Sequence, residues 1–88
     1  MLDRGVGKIV DELKAAGKFD NTIIFFLSDN GGSTTNQSSN LPLKGFKGNK
    51  FEGGQRVPFF VVWGDRFKRD QRFTGLTSSL DIFATVVD

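Results

Sequence analysis

Apolar residues recur in two rhythms along this chain, and each rhythm marks a kind of element. Between residues 3 and 16 they return every third or fourth position, at Val6, Ile9, Val10, Leu13 and Ala16. That spacing makes one stripe on a helix. Lys8, Asp11, Glu12 and Lys14 fall largely on the other side, with Lys8 and Glu12 an i,i+4 pair in the less favourable order. Asp3 is placed to cap the start. Gly17 is placed to stop the helix, because glycine accepts the left-handed conformation there. The stripe needs a partner, and the following strand is the nearest one. After the turn residues Asp20-Asn21 the rhythm changes. Ile23-Ile24-Phe25-Phe26-Leu27 is continuously apolar, β-branched and aromatic, which predicts a buried strand over about 22–28. A second run, Phe59 to Trp63, follows Val57-Pro58, and proline is tolerated at a strand start. Gly64 ends it. Helical spacing returns with Leu80, Ile82, Phe83, Val86 and Val87, behind a cap at Thr77 or Ser78.

The polar segments lie between these runs. Residues 31–40 contain no apolar side chain, so they predict a mobile surface loop that either shapes ligand access or is a tolerated insertion. From Leu41 to Pro58, Lys44, Lys47 and Lys50 alternate with Gly45, Gly48, Gly53 and Gly54. Glycine permits close backbone approach to a ligand, and lysine brings a compact positive charge, a combination suited to sulfate or phosphate. On composition alone, a solvated basic loop is the commoner explanation. Residues 65–73, including Arg66, Lys68, Arg69 and Arg72, read as an exposed connection. The order helix, strand, long loop, strand, helix is α/β. In open α/β sheets ligands sit beyond the carboxyl ends of strands. That makes Asp29 and Asn30, at the end of the first strand, the candidate ligand site. Gly5-Val6-Gly7-Lys8 is not a phosphate loop, since Ile9 stands where Ser or Thr is needed and no strand precedes it.

Composition narrows the chemistry. A chain of 88 residues is one domain or a piece of one, and is marginally stable without help. It contains no cysteine and no histidine, which removes disulfides, thiolate metal sites and the commonest general base. A net charge of +2, from 12 basic and 10 acidic residues, is too balanced to argue for nucleic acid. No segment approaches the ~20 apolar residues of a membrane span. The first residues lack a signal peptide's apolar region, so the expectation is a protein kept inside the cell or a piece whose leader lies elsewhere.

Two stretches carry a resemblance. Asn21 to Gly32, ending in Ser28-Asp29-Asn30-Gly31-Gly32, is similar to the strand and Asp-Asn-Gly tip of the type I, formylglycine-dependent sulfatases of the alkaline-phosphatase-like superfamily. Lys47-Gly48-Asn49-Lys50-Phe51-Glu52-Gly53-Gly54-Gln55-Arg56-Val57-Pro58 resembles that family's Lys-Gly-x-x-x-Glu-Gly-Gly-x-Arg-x-Pro signature with its spacing intact. Asp3 to Gly7 and Ser79 to Ile82 are similar to flanking elements, so the likeness spans nearly the whole chain. It implies a partial sulfatase catalytic domain over residues 1–88, a piece of an alkaline-phosphatase-like sandwich. It implies Asp29 and Asn30 as metal ligands for Ca²⁺ or Mg²⁺, and Asp29 near the leaving-group oxygen. Lys47 then contacts the substrate sulfate and assists catalysis. Glu52 and Arg56 match family positions and read as a buried or half-buried pair that holds the glycine turn.

What the family needs beyond these residues is missing from the chain. Its formylglycine comes from a Cys or Ser in a Cys/Ser-x-Pro-x-Arg motif, but Asn40 stands two residues before Pro42 and Arg56 two before Pro58. Two further acidic metal ligands and catalytic histidines are absent as well. The expectation is a later part of the catalytic domain, inactive alone, from a truncated reading frame or an excised segment. Its partners are a sulfate ester substrate and the rest of the sulfatase domain, or further copies of itself through exposed strands. The compartment is left open by the chain itself; the resemblance implies a parent of the periplasmic, secreted or lysosomal type. The alternatives are a phosphoesterase or phosphonate hydrolase of the same superfamily, and a non-catalytic anion- or partner-binding remnant.

Overall fold

A computed structural model describes residues 1–68 and 70–88, so Arg69 of the expected basic connection lies outside the described residues. The chain divides into two compact units, residues 1–24 with 62–88, and residues 25–61. Each is taken by itself.

The first unit begins with α1, Leu2–Ala15. Its end is the one the sequence predicts. Gly17 has φ +63°, its N–H donates to Lys14 O at 3.0 Å, and the Lys18 N–H reaches Leu13 O at 2.9 Å. These two bonds are a Schellman motif, which satisfies carbonyls the helix itself leaves open. The start differs from expectation. Asp3 lies inside the first turn, and Met1 caps without a side-chain hydrogen bond. Asp3 therefore acts on the helix dipole rather than on an orphan N–H. The Lys8–Glu12 ion pair does not form; both side chains are exposed, and solvation competes with so weak a contact. Val6, Val10 and Leu13 are half-buried, while Ile9 of the same stripe is 62% exposed. The helix meets the single turn of 3₁₀ helix at Phe19–Asn21, with the Lys14 ammonium 5.2 Å from the Phe19 ring centroid. Further on, Trp63 packs edge-on to Phe67 at 5.9 Å, and the Arg66 guanidinium lies 4.6 Å from the Trp63 ring.

The last helix, α3, spans Asp81–Val87. It starts later than the expected cap at Thr77 or Ser78: Leu80 stands at the N-cap, with no side-chain hydrogen bond to the helix. The Ser78 N–H donates to the Asp81 carboxylate at 2.7 Å, and Ser78 Oγ accepts from the Leu80 N–H at 3.2 Å. These bonds, with the Asp81 N–H on Ser78 O at 3.1 Å, shape the turn that leads into the helix.

The second unit is organised by residues 25–27 of β1, Ile24–Leu27, and residues 59–61 of β2, Phe59–Val62, each strand shorter than the run that announces it. Phe26 lies beside Phe60, and the Ser28 N–H donates to Pro58 O at 3.3 Å. Numbers rise along one strand as they fall along the other, so the pair is antiparallel. Phe25 and Phe59 add a diagonal aromatic contact at 6.4 Å. Between the strands come a 3₁₀ turn at Thr34–Asn36 and α2, a single turn at Glu52–Gln55.

Strands this apolar belong between two covering layers. Here they are half-buried or exposed, with Phe60 at 59%, and each has an outer edge without a strand beside it among the described residues. No hydrophobic side chain among the described residues is buried. The chain exposes 7927 Å² at a mass of 9.7 kDa. Even two separate compact bodies of half that mass would together expose only about 6,200 Å². The mixed helix and strand content agrees with the α/β expectation. No helix among the described residues is long and apolar enough to cross a membrane.

Candidate functional site

The candidate residues lie within the second unit. β1 ends at Leu27, and the chain turns at once. Ser28 Oγ donates to Asn30 O at 2.7 Å, which fixes the bend that carries Asp29 and Asn30. Asp29 is exposed and Asn30 half-buried, and among the described residues neither side chain makes a hydrogen bond or an ion pair. A carboxylate and an amide carbonyl are hard oxygen donors, of the kind Ca²⁺ and Mg²⁺ take. They suit part of such a site and not the whole of one. Ca²⁺ takes about 6–8 oxygens, and the described residues hold no group of three or more acidic side chains that could complete the shell.

The second arm is a backbone knot built on glycine. Among the described residues Gly53 and Gly54 are the buried ones, in α2. The Gly53 N–H donates to Lys44 O at 2.8 Å, and the Gly54 N–H to Phe51 O at 2.9 Å. A side chain on Gly54 would lie 2.5 Å from Phe46 O and 2.7 Å from Asn49 O, so only glycine lets these strands of backbone approach. The Gly31 N–H then donates to Gly54 O at 3.0 Å, and the Lys47 N–H donates to Gly32 O at 3.0 Å. The two motifs are thus joined main chain to main chain.

Among the three lysines the structure distinguishes Lys44, whose ammonium lies 4.4 Å from the Phe51 ring centroid. Lys47 is exposed, with no ion pair or ring contact among the described residues. Residues 25–61 carry four basic and two acidic side chains, a surplus that favours an anion. Glu52 and Arg56 pair at 3.2 Å, but their side chains are 65% and 70% exposed. The expectation of a buried or half-buried pair is therefore corrected. Glu52 opens α2 and Arg56 caps its end, and the two side chains meet in solvent while Gly53 and Gly54 are buried between them in the chain.

Two residues escaped the sequence reading. The Asn49 side chain accepts from the Phe46 N–H at 2.9 Å. Asn40, the last residue of the polar loop, bonds to both Gly32 and Gly45. That loop is therefore tied at its end rather than free. Its signal in sequence was only an amide next to Leu41-Pro42, which is too common to single out.

The sulfatase family model matches residues 1–88. The chain is 36% identical over 91 residues to an uncharacterized sulfatase, YdeN, of Escherichia coli, covering 99% of this chain and 16% of that protein. It is 39% identical over 88 residues to the N-acetylgalactosamine-6-sulfatase of Canis lupus familiaris, covering 96% and 17%. The crystal structure of Ps i-CgsB in complex with k-i-k-neocarrahexaose matches with a TM-score of 0.88 at 46% identity, over 94% of this chain and 18% of that one. The chain spans about one sixth of the length of these relatives. With both motifs in place, their spacing kept and the whole length matched, the chain belongs to the sulfatase family.

Proposed function

We propose that residues 1–88 form part of a sulfatase catalytic domain that hydrolyses sulfate esters, a piece of an alkaline-phosphatase-like sandwich. The observation that carries this reading is the hydrogen-bonded junction of the Asp29-Asn30 tip with the Lys47 loop, through Lys47 to Gly32 and Gly31 to Gly54. Support for a part rather than a whole comes from the share of each relative that is matched and from the uncovered apolar strands.

In this reading Asp29 and Asn30 supply two oxygen ligands to Ca²⁺ or Mg²⁺. A cation held there would supply Lewis-acid chemistry, polarising a sulfate oxygen. Lys47 holds a sulfate oxygen through its ammonium, and its attraction strengthens as negative charge grows during S–O cleavage. Asp29 stands beside the leaving-group oxygen. Glu52 and Arg56 brace the outer face of the glycine turn. A formylglycine does not fit these 88 residues, since no Cys/Ser-x-Pro-x-Arg motif is among them, and no step is written through one. The phosphoesterase alternative gains nothing from the relatives named, which are sulfatases.

The test uses a complete sulfatase carrying residues 1–88 as its matching segment, with p-nitrophenyl sulfate as substrate. Lys47→Ala lowers kcat about 100- to 1,000-fold. Lys50→Ala, three residues before the first of the knot's buried glycines, changes it little. An undiminished rate in Lys47→Ala removes the assignment.

A further inference from the structure

One side chain ties the two arms of this site together, and the functional reading above does not use it. Asn40 is half-buried between the Asp29-Asn30 tip and the lysine loop. Its Oδ1 accepts from the Gly32 N–H at 2.8 Å. Its Nδ2 donates to Gly32 O at 3.1 Å and to Gly45 O at 3.0 Å. One amide therefore satisfies both main-chain groups of Gly32, as a neighbouring strand would, and spends its remaining donor on the loop that leads to Lys47. Gly32 O receives a second donor, the Lys47 N–H. Asparagine is the smallest side chain with one acceptor and two donors in this fork.

The geometry points to Asn40 as a positioning residue that sets the distance between the metal-binding tip and the sulfate-binding lysine. This inference rests on the proposed function. Gly32 lies two residues from Asn30, and Gly45 two from Lys47. Loosening the clamp lets the two arms drift while each keeps its own fold. Asn40 itself touches neither substrate nor metal. Its effect passes through backbone.

The chemistry separates the clamp from mere bulk. Asn40→Asp keeps the shape and the acceptor, but turns a carboxylate oxygen toward two carbonyl oxygens. The neutral acid, which has a donor, is then preferred over the charged form. The ratio of Asn40→Asp activity to parent activity rises as pH falls, whereas a purely steric role leaves that ratio flat. Asn40→Ala lacks both functions and shows a flat ratio.

The experiment uses the same complete sulfatase. Asn40→Ala is expected to lose about 10- to 100-fold in Ca²⁺ affinity by calorimetric titration, or in kcat. Amide exchange at Gly32 and Lys47 should speed up in Asn40→Ala while distant amides keep their protection. Lys47→Ala and Asp29→Ala serve as controls. If both controls lose activity while Asn40→Ala binds Ca²⁺ and turns over like the parent, the positioning role is overturned and the functional reading stands. If the controls also keep full activity, both fall. Should Asn40→Ala not fold, the pH ratio of Asn40→Asp decides: a rise toward acid supports the clamp, and a flat ratio overturns it.

Discussion

The backbone N–H of Lys47 donates to the carbonyl oxygen of Gly32 at 3.0 Å. This bond brings a lysine of the glycine-rich segment to the end of an apolar strand, across a polar loop. Because it runs between main-chain atoms, it constrains the residues that must approach closely more than those that decorate the loop. The consequences are testable at the glycines, at the exposed ion pair and at the uncovered strands.

Close approach makes the glycines unequal. A Cβ at Gly31 would collide with the carbonyl oxygen of Gly53, and both are backbone, so the tip and the knot must separate. Gly31→Ala should destabilise a complete sulfatase carrying this segment by at least about 1–3 kcal/mol, the range for overpacking. Gly5→Ala lies inside α1 with nothing within 4 Å. It should stabilise by about 0.5–1 kcal/mol, since alanine loses less backbone entropy in a helix. Denaturant midpoints of the two variants test the contrast. Equal and small effects would contradict the packing described.

The Glu52–Arg56 pair is open to solvent, so its direct contribution is small. A double-mutant cycle with Glu52→Ala and Arg56→Ala, in a complete sulfatase carrying this segment, should give a coupling of about 0–1 kcal/mol, shrinking as salt is added. A larger coupling that is insensitive to salt would mean that the pair is covered.

The chain by itself leaves β1 and β2 uncovered and Phe83 of α3 76% exposed. Unpaired edges and apolar faces recruit other chains. The isolated 88 residues should bind a hydrophobic dye and sediment as concentration-dependent assemblies. A sharp, reversible two-state melt of a monomer would refute this expectation.

Much of the fold was legible because it is set locally. The stripe Val6, Val10, Leu13 and the glycine at 17 specify α1 and its Schellman end within a single segment. The runs at 23–27 and 59–63 give the strands, because β-branched and aromatic residues suit no other element there. The role of Asn40 was not legible, since its partners Gly32 and Gly45 are brought to it only by the folded loop. The exposure of Glu52 and Arg56 was hidden for a related reason. An i,i+4 spacing says that two charges can meet, but not whether the fold covers them. That α2 forms at all runs against glycine's low helix propensity, and the reason is tertiary: Gly53 and Gly54 fill a space no other residue fits.

The central claim is that Asp29 and Lys47 serve one site. Kinetics of Asp29→Ala, Lys47→Ala and the double variant, in a complete sulfatase carrying this segment, test it most directly. Groups that act on one transition state lose their effects together rather than independently. The double variant should therefore fall little below the worse of the two single variants in kcat. Losses that multiply, or single variants that turn over as fast as the parent, would contradict the account.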